Sequence, residues 1–233
     1  VPLRGVAVKG KGKLLAEGLD AHAKLVAALE AYFRIPYPYD KLDVIAVPDF
    51  AAGAMENAGA IKYREALLLI DPATASESQR RDMVEVAAHE LAHQWFGNLV
   101  TMAWWDDLWL NEAFATWMAE RIVSPMHPAW HLDLELRQWI EGAMETDSLA
   151  SARKIRQPIV TKDDIENAFD DLTYSKGAGI ITMFERFVGP DVFRDGVRSY
   201  LEKHRLGTAT TEQFMAEVLR GQEPDIAASF RQF

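Results

Sequence analysis

The chain has 233 residues, of which 49% are hydrophobic and 26% are charged, and this composition is typical of a folded protein with a substantial core. Thirty-five acidic residues against 25 basic ones give a net charge of −10, the wrong sign for a surface that binds nucleic acid. No apolar run approaches the roughly 18 residues that a membrane-spanning helix needs. Since there is no cysteine, histidine and carboxylate side chains must supply any metal ligands.

The first 70 residues combine helical and strand patterns. Apolar residues recur at helical spacing between Leu14 and Leu29, and prolines follow that segment. A β-branched run at 42–48 predicts a strand, and residues 60–70 predict a second one. The glycine-flanked segment 53–59 lies between the two strands and is either an edge strand or a loop.

Helical patterns dominate the rest of the chain. Ser76 and Gln79 have the spacing of a capping box, which predicts a long helix over 77–97. Apolar periodicity predicts five further helices, over 108–122, 129–143, 176–188, 191–204 and 211–219. We therefore expect an α+β fold in one continuous domain, with a small mixed sheet in residues 1–70 and a helical part in residues 71–233.

The sequence HELAH, an HExxH pattern at 89–93, lies inside the long predicted helix. One helical turn separates His89 from His93, so both imidazoles project from the same face and can bind one metal ion. Glu90 lies 100° further round the helix, where it can address a water molecule on that ion without being a ligand. The pattern is typical of zinc hydrolases, although two surface histidines with an ion-paired glutamate between them would also produce it.

A catalytic zinc site takes three protein ligands and keeps one position for water, so another element must supply the third ligand. Glu112 is the best candidate, because it lies in a predicted amphipathic helix with 18 residues between it and His93. A glutamate near a helix N-terminus also complements the helix dipole, and this is the alternative interpretation of Glu112.

Four motifs occur in order along the chain: GAMEN at 53–57, HELAHQWFGN at 89–98, WLNEAF at 109–114 and LTYSKGA at 172–178. Together they resemble the aminopeptidase N family of zinc metallopeptidases, gluzincins with a thermolysin-like catalytic domain. The resemblance covers nearly the whole chain, and the stretch at 47–60 is similar to that of bacterial members. The resemblance implies a single catalytic domain over 1–233, without the N-terminal β domain and the C-terminal helical domain of the family.

The resemblance also implies the roles of the candidate site residues. It assigns one Zn²⁺ ion to His89, His93 and Glu112, and the general base to Glu90. In the implied mechanism, Glu90 takes a proton from a zinc-activated water and returns it to the leaving amine. Tyr174 matches the family tyrosine whose hydroxyl stabilises the developing oxyanion.

GAMEN is the implied substrate-binding segment. Glu56 would hold the free α-amino group of the substrate, while the backbone of Gly53 and Ala54 pairs with the peptide as an added strand. Met55 is a candidate wall of the side-chain pocket, and Asn57 completes the segment. The family most often has tryptophan at the next position, where this chain has alanine, so the shape of that pocket is not predicted.

The leading functional hypothesis is an aminopeptidase that acts on peptides with a free N-terminus. The alternatives are a thermolysin-like endopeptidase and an inactive catalytic-domain fragment that serves as a binding unit. Since Val1 is not an initiator methionine, we expect a piece of a longer chain with flanking domains as partners. The sequence does not fix the compartment, and two locations stay open: the cytoplasm or, if an export signal has been lost, the periplasm or the exterior.

Two groups of residues are expected outside the site. Four histidines are expected at the surface: His22, His127, His131 and His204. Only His127 and His131 have the spacing of one helical turn, and Pro128 interrupts it. Five tryptophans around the metal motif are expected in the core: Trp95, Trp104, Trp105, Trp109 and Trp117.

Overall fold

The computed structural model describes residues 1–222 together with Ile226 and Ser229. The described chain forms two compact units, of which the first comprises 1–98 and 118–130. The second comprises 99–117 and the described residues from 131 onward. The helix Leu108–Met126 has residues in both units. The expected single domain over 1–233 stays a prediction.

The first unit contains a four-stranded mixed sheet with the order β1, β2, β4, β3. The strands are β1 (Leu3–Val6), β2 (Leu42–Val47), β3 (Ala54–Met55) and β4 (Ala60–Arg64). The strands β1, β2 and β4 are parallel, whereas β3 pairs antiparallel with β4 and forms an edge of the sheet. A bidentate ion pair joins Arg4 of β1 to Asp43 of β2, and the guanidinium lowers the pKa of the Asp43 carboxyl.

Three helices complete most of the first unit: α1 (Ala16–Phe33), α2 (Glu65–Leu68) and α3 (Glu77–His93). The predicted capping box is confirmed, because Ser76 Oγ accepts from the Gln79 backbone N–H and Gln79 Oε1 accepts from the Ser76 backbone N–H. The expected strand over 60–70 is too long. It ends at Arg64 because the strong helix formers Glu65–Leu68 turn the chain into α2.

An aromatic core in the first unit surrounds Trp95, which follows α3. The rings of Phe33 and Tyr37 lie 5.4 and 5.6 Å from the Trp95 ring, and Trp95 Nε1 donates to the Ile35 carbonyl at 3.0 Å. The helix α3 ends at His93 rather than at Gly97, which has a φ of 124° that a helix cannot accommodate. The contacts of Trp95 hold the segment that directly follows α3 against the residues after α1.

The second unit is mainly helical. Its helices include the first half of α4 (Leu108–Met126), α5 (Leu132–Asp147), α6 (Lys162–Asn167), α7 (Gly177–Val188), α8 (Pro190–Lys203) and α9 (Thr211–Val218). A π-helical turn, Leu172–Lys176, precedes α7, and a short parallel pair joins β5 (Val100–Met102) to β6 (Gly207–Ala209). Among the described residues, none of the helices in either unit is long and apolar enough to span a membrane.

Five aromatic side chains form the core of the second unit: Phe114, Trp117, Phe193, Tyr200 and Phe214. Their contacting ring pairs have centroids between 5.2 and 6.2 Å apart. Since Phe114 and Trp117 lie on α4, this cluster fixes the part of α4 that follows Glu112. The buried Asp107 just before α4 accepts a hydrogen bond from the Thr211 hydroxyl at 2.6 Å and ties α4 to the start of α9.

Two expectations about side-chain burial are wrong. His22 is fully buried in α1, because its ring nitrogens hydrogen-bond to the Gly18 carbonyl at 2.6 Å and to the Tyr63 hydroxyl at 2.8 Å. Trp104 and Trp105 are exposed by 59% and 38%. They precede α4 in a short turn, and the indole Nε1 of Trp104 donates to the Ile159 carbonyl at 3.1 Å.

Candidate metal centre

Two imidazoles meet on one face of α3. The Nε2 atoms of His89 and His93 lie 3.1 Å apart, and their rings are nearly perpendicular. His93 is buried, and its Nδ1 lies 3.3 Å from the Phe96 carbonyl, which can only accept a hydrogen bond. A proton on Nδ1 leaves Nε2 as the atom that can bind a metal ion.

The third candidate ligand, Glu112, lies in the second turn of α4. The Glu112 side chain is buried, so it is not a solvated charge at a helix N-terminus. Its Oε1 accepts a hydrogen bond from Asn111 Nδ2 at 3.3 Å. Ligand atoms of His89, His93 and Glu112 all lie within 4.8 Å of one another, so these three residues could hold a metal ion.

The spacing of the donor atoms fits one bound metal ion. Two nitrogens at bonding distance from one tetrahedral zinc ion lie roughly 3.3 Å apart, close to the 3.1 Å between the two Nε2 atoms. Two imidazoles and one carboxylate are also a ligand set that catalytic zinc sites use. The buried Asn111, which the sequence analysis did not assign, orients the carboxylate as partners of metal ligands commonly do.

Glu90 is buried on α3 between the two histidines in sequence, next to a buried tyrosine of β4. Burial raises the pKa of Tyr63 well above its usual value, and the nearby charge of Glu90 raises it further. The Tyr63 hydroxyl lies 2.8 Å from His22 Nε2. Neither Tyr63 nor His22 has a motif or a spacing that marks this buried pair in the sequence.

The GAMEN segment lies at the edge of the sheet in the first unit. Its residues Ala54–Met55 form β3, which pairs with β4 on one side only. The preceding Gly53 accepts a hydrogen bond at its carbonyl from the Arg64 backbone N–H at 2.8 Å. The Met55 side chain is 43% exposed, while Glu56 and Asn57 are half-buried in the turn that follows.

Tyr174 is half-buried in the π-helical turn of the second unit, a type of turn that is frequent at functional sites. Arg153 braces this turn: its Nη2 donates to Asp170 Oδ1 at 2.5 Å and to Thr173 Oγ1 at 2.6 Å. Asp170 Oδ1 also accepts from the Thr173 backbone N–H at 3.0 Å. The role of Tyr174 stays a prediction, and these bracing residues carried no signal in the sequence.

The chain belongs to peptidase family M1, because its residues 17–233 match the peptidase family M1 domain. This match and the aminopeptidase relatives confirm the resemblance to the aminopeptidase N family that the four motifs indicate. The match also confirms the α+β class, with a small mixed sheet followed by a mainly helical part.

Three relatives illustrate the similarity. Probable aminopeptidase 1 of Saccharolobus solfataricus is 46% identical over 203 residues, which are 87% of this chain and 26% of the relative. Leucyl aminopeptidase of the same organism is 48% identical over 181 residues, 77% of this chain and 23% of the relative. Aminopeptidase 2 of Candida albicans is 39% identical over 227 residues, 97% of this chain and 25% of the relative. The chain thus spans about a quarter of the length of these relatives.

Proposed function

We propose that this chain is the catalytic part of a zinc-dependent aminopeptidase that hydrolyses the first peptide bond of peptides with a free N-terminus. The observation that carries the proposal is the convergence of ligand atoms from His89, His93 and Glu112, with Glu90 on the same helix as the two histidines. The aminopeptidase names of the relatives support this choice of reaction.

Zinc fits the site, because two imidazoles and one carboxylate make three protein ligands without sulfur. When bound, zinc would act as a Lewis acid that makes a water nucleophilic and polarises the peptide carbonyl. Glu90 directly follows His89 on the same helix. Its carboxylate can therefore take a proton from a water molecule that attacks at this centre. The same carboxylate can then give that proton to the leaving amine.

Two further residues would complete the reaction. The Glu56 carboxylate would bind the ammonium group of the substrate, which selects a free N-terminus over an acylated one. The Tyr174 hydroxyl would donate a hydrogen bond to the oxygen on which negative charge develops. The outer edge of β3 is where an extended peptide could add as a strand, and this supports GAMEN as the substrate-binding segment.

A pair of matched substrates tests the proposal. The zinc-loaded 233-residue chain should hydrolyse an aminoacyl anilide and should barely hydrolyse its N-acetyl form. Replacing Glu56 with Gln should reduce this preference by roughly ten- to a hundredfold, since a hydrogen bond to a charged group is worth about 1.5–3 kcal/mol. Equal or faster hydrolysis of the acetylated substrate would indicate an endopeptidase. A zinc-loaded chain that hydrolyses neither substrate would indicate the inactive binding unit.

A further inference from the structure

The side chain of Gln94 connects α3 to the segment that carries Glu56. Gln94 directly follows His93 and is fully buried. Its Nε2 donates to the backbone carbonyl of Glu56 at 2.8 Å. Its Oε1 accepts two hydrogen bonds, from the Gly59 backbone N–H at 3.0 Å and from the Tyr37 hydroxyl at 3.1 Å. One carboxamide thus holds both ends of the turn from Glu56 to Gly59.

Asn98 binds the same carbonyl from a second position. Its Nδ2 donates to the Glu56 carbonyl at 2.7 Å. Asn98 is itself tied to the end of α3, because its backbone N–H donates to the His93 carbonyl at 2.9 Å. The Glu56 carbonyl therefore accepts two amide N–H groups, which is the full capacity of its two lone pairs.

A backbone hydrogen bond and a glycine shape the turn between these contacts. The Ala60 backbone N–H donates to the Asn57 carbonyl at 2.8 Å, which closes the turn. Gly59 has a φ of 66°, and a Cβ atom at this position would lie 3.1 Å from the Lys41 carbonyl oxygen. Glycine is therefore required where the backbone N–H meets Gln94. The backbone that carries the Glu56 side chain is held at both ends by short, directional contacts.

We propose that Gln94 and Asn98 are positioning residues that set where the Glu56 carboxylate stands relative to the two histidines of α3. This inference rests on the proposed function, in which Glu56 binds the substrate ammonium. An aminopeptidase must hold that ammonium one residue away from the bond to be cleaved, so the spacing between the anchor and the metal ligands decides the point of cleavage. Tying the anchor to the C-terminal end of the helix that carries His89 and His93 fixes that spacing.

Two variants test the clamp, which we define as the side chains of Gln94 and Asn98. Asn98→Ala removes one donor at a half-buried position, and Gln94→Met removes the carboxamide while keeping a similar volume. We expect each variant to keep one zinc ion per chain and to raise KM for the aminoacyl anilide roughly three- to tenfold, the range that a lost hydrogen bond gives. The rate with the N-acetyl anilide should not change. Calorimetric binding of an amino acid amide and its N-acetyl derivative measures the same preference without turnover.

A double-variant comparison separates positioning from general destabilisation. In a Glu56→Gln background, Asn98→Ala should have no further effect on KM, because the anchor that it positions is already lost. The control is Ser76→Ala, which removes the N-cap side chain at the other end of α3 and lowers the unfolding midpoint. This control should keep the wild-type preference for a free amine.

Each result decides the question. A folded, zinc-containing Asn98→Ala chain with the wild-type preference would overturn the clamp, as would an equal loss of affinity in the Glu56→Gln background. If Gln94→Met does not fold, Asn98→Ala alone decides. A wild-type chain without any preference for a free amine would contradict the proposed function and the clamp together. If the wild type prefers a free amine and the clamp variants keep that preference, the clamp is contradicted and the proposed function is not.

Discussion

Gly177 lies so close to Ala113 that a Cβ atom built on the glycine would stand 2.6 Å from the alanine Cβ. Ala113 directly follows the candidate ligand Glu112 on α4, and Gly177 begins α7 directly after the π-helical turn that carries Tyr174. Two of the four family motifs therefore meet at a contact that leaves no room for a side chain. This contact brings the two segments together within the second unit.

The first prediction is that Gly177→Ala destabilises the chain. The added methyl must displace α7 or α4, and overpacking of this kind costs about 1–3 kcal/mol. Because the displaced segments carry Tyr174 and Glu112, kcat should fall as well. Thermal unfolding and steady-state kinetics measure the two effects.

Two matched variants make this test specific. The double variant Gly177→Ala with Ala113→Gly returns the lost space and should recover much of the stability. Gly142→Ala on α5 adds a methyl where no heavy atom lies within 4 Å, so it should raise stability by up to about 1 kcal/mol. A Gly177→Ala chain as stable as the wild type would show that the contact is not tight in solution.

The second prediction concerns removal of the metal. An ion that binds only the folded chain stabilises it by mass action, by about 2.7 kcal/mol at a concentration a hundredfold above Kd. A chelator should therefore lower the unfolding midpoint of the wild type and leave that of His93→Ala unchanged. His127→Ala is the control, because His127 stacks on Trp130 and is not one of the three candidate ligands. This variant should keep one ion per chain. Equal ion content in His93→Ala and wild type would contradict the ligand assignment.

The third prediction separates the general base from the metal ligands. Glu90→Gln keeps the shape of the side chain and removes its ability to take a proton, so the ion should stay bound while kcat falls roughly 10²- to 10⁴-fold. The control is Asp82→Asn, an exposed carboxylate on the same helix, which should change neither quantity. Near-normal turnover by a metal-loaded Glu90→Gln chain would rule out this role.

The fourth prediction concerns Tyr174 and the residues that brace its turn. Tyr174→Phe removes one hydroxyl and should lower kcat roughly 10²- to 10³-fold with little change in KM, as expected for a contact made in the transition state. Thr173→Val removes the hydroxyl that accepts from Arg153, and it should lower kcat by less. If Thr173 acts only through Tyr174, the Tyr174→Phe chain should show no further loss of kcat on adding Thr173→Val. Additive losses would mean that the bracing serves another purpose.

The local part of this site could be predicted from the sequence. One helical turn separates His89 from His93, and the capping box at Ser76 predicts where their helix begins, since both follow from short-range geometry. The candidate ligand Glu112 could also be predicted, because apolar residues at helical spacing predict its helix and a catalytic zinc needs a third ligand. The three candidate metal ligands can therefore be predicted from the patterns of two separate helices.

The contacts that position the site could not be predicted in this way. Gln94 and the Glu56 carbonyl are 38 residues apart, and an amide side chain in a helix gives no sign of its partner. The pair β5 and β6 was missed for the same reason, because its three-residue strands become strands only by pairing across more than 100 residues. The burial of His22 depends on Tyr63, 41 residues away, so no spacing rule could reveal it.

His22 gives the chain a sensitivity to acid that is separate from the metal. Burial lowers the pKa of His22 from 6.5 to about 4 in the folded chain. The neutral ring lies between the Gly18 carbonyl, which can only accept a hydrogen bond, and the Tyr63 hydroxyl, which must then donate to Nε2. As the pH falls below 6.5, the unfolded chain therefore binds a proton that the folded chain does not.

The fifth prediction follows from this difference. The contribution of His22 to the free energy of unfolding should be complete above pH 6.5 and should be lost as the pH falls towards about 4, a loss of about 3 kcal/mol. His22→Gln does not titrate and can still accept from Tyr63, so its unfolding free energy should fall less over the same range. Tyr63→Phe keeps the buried ring and should lose stability with acid as the wild type does. Urea unfolding between pH 4 and pH 8 measures all three chains. Parallel curves for wild type and His22→Gln would show that other groups cause the acid sensitivity.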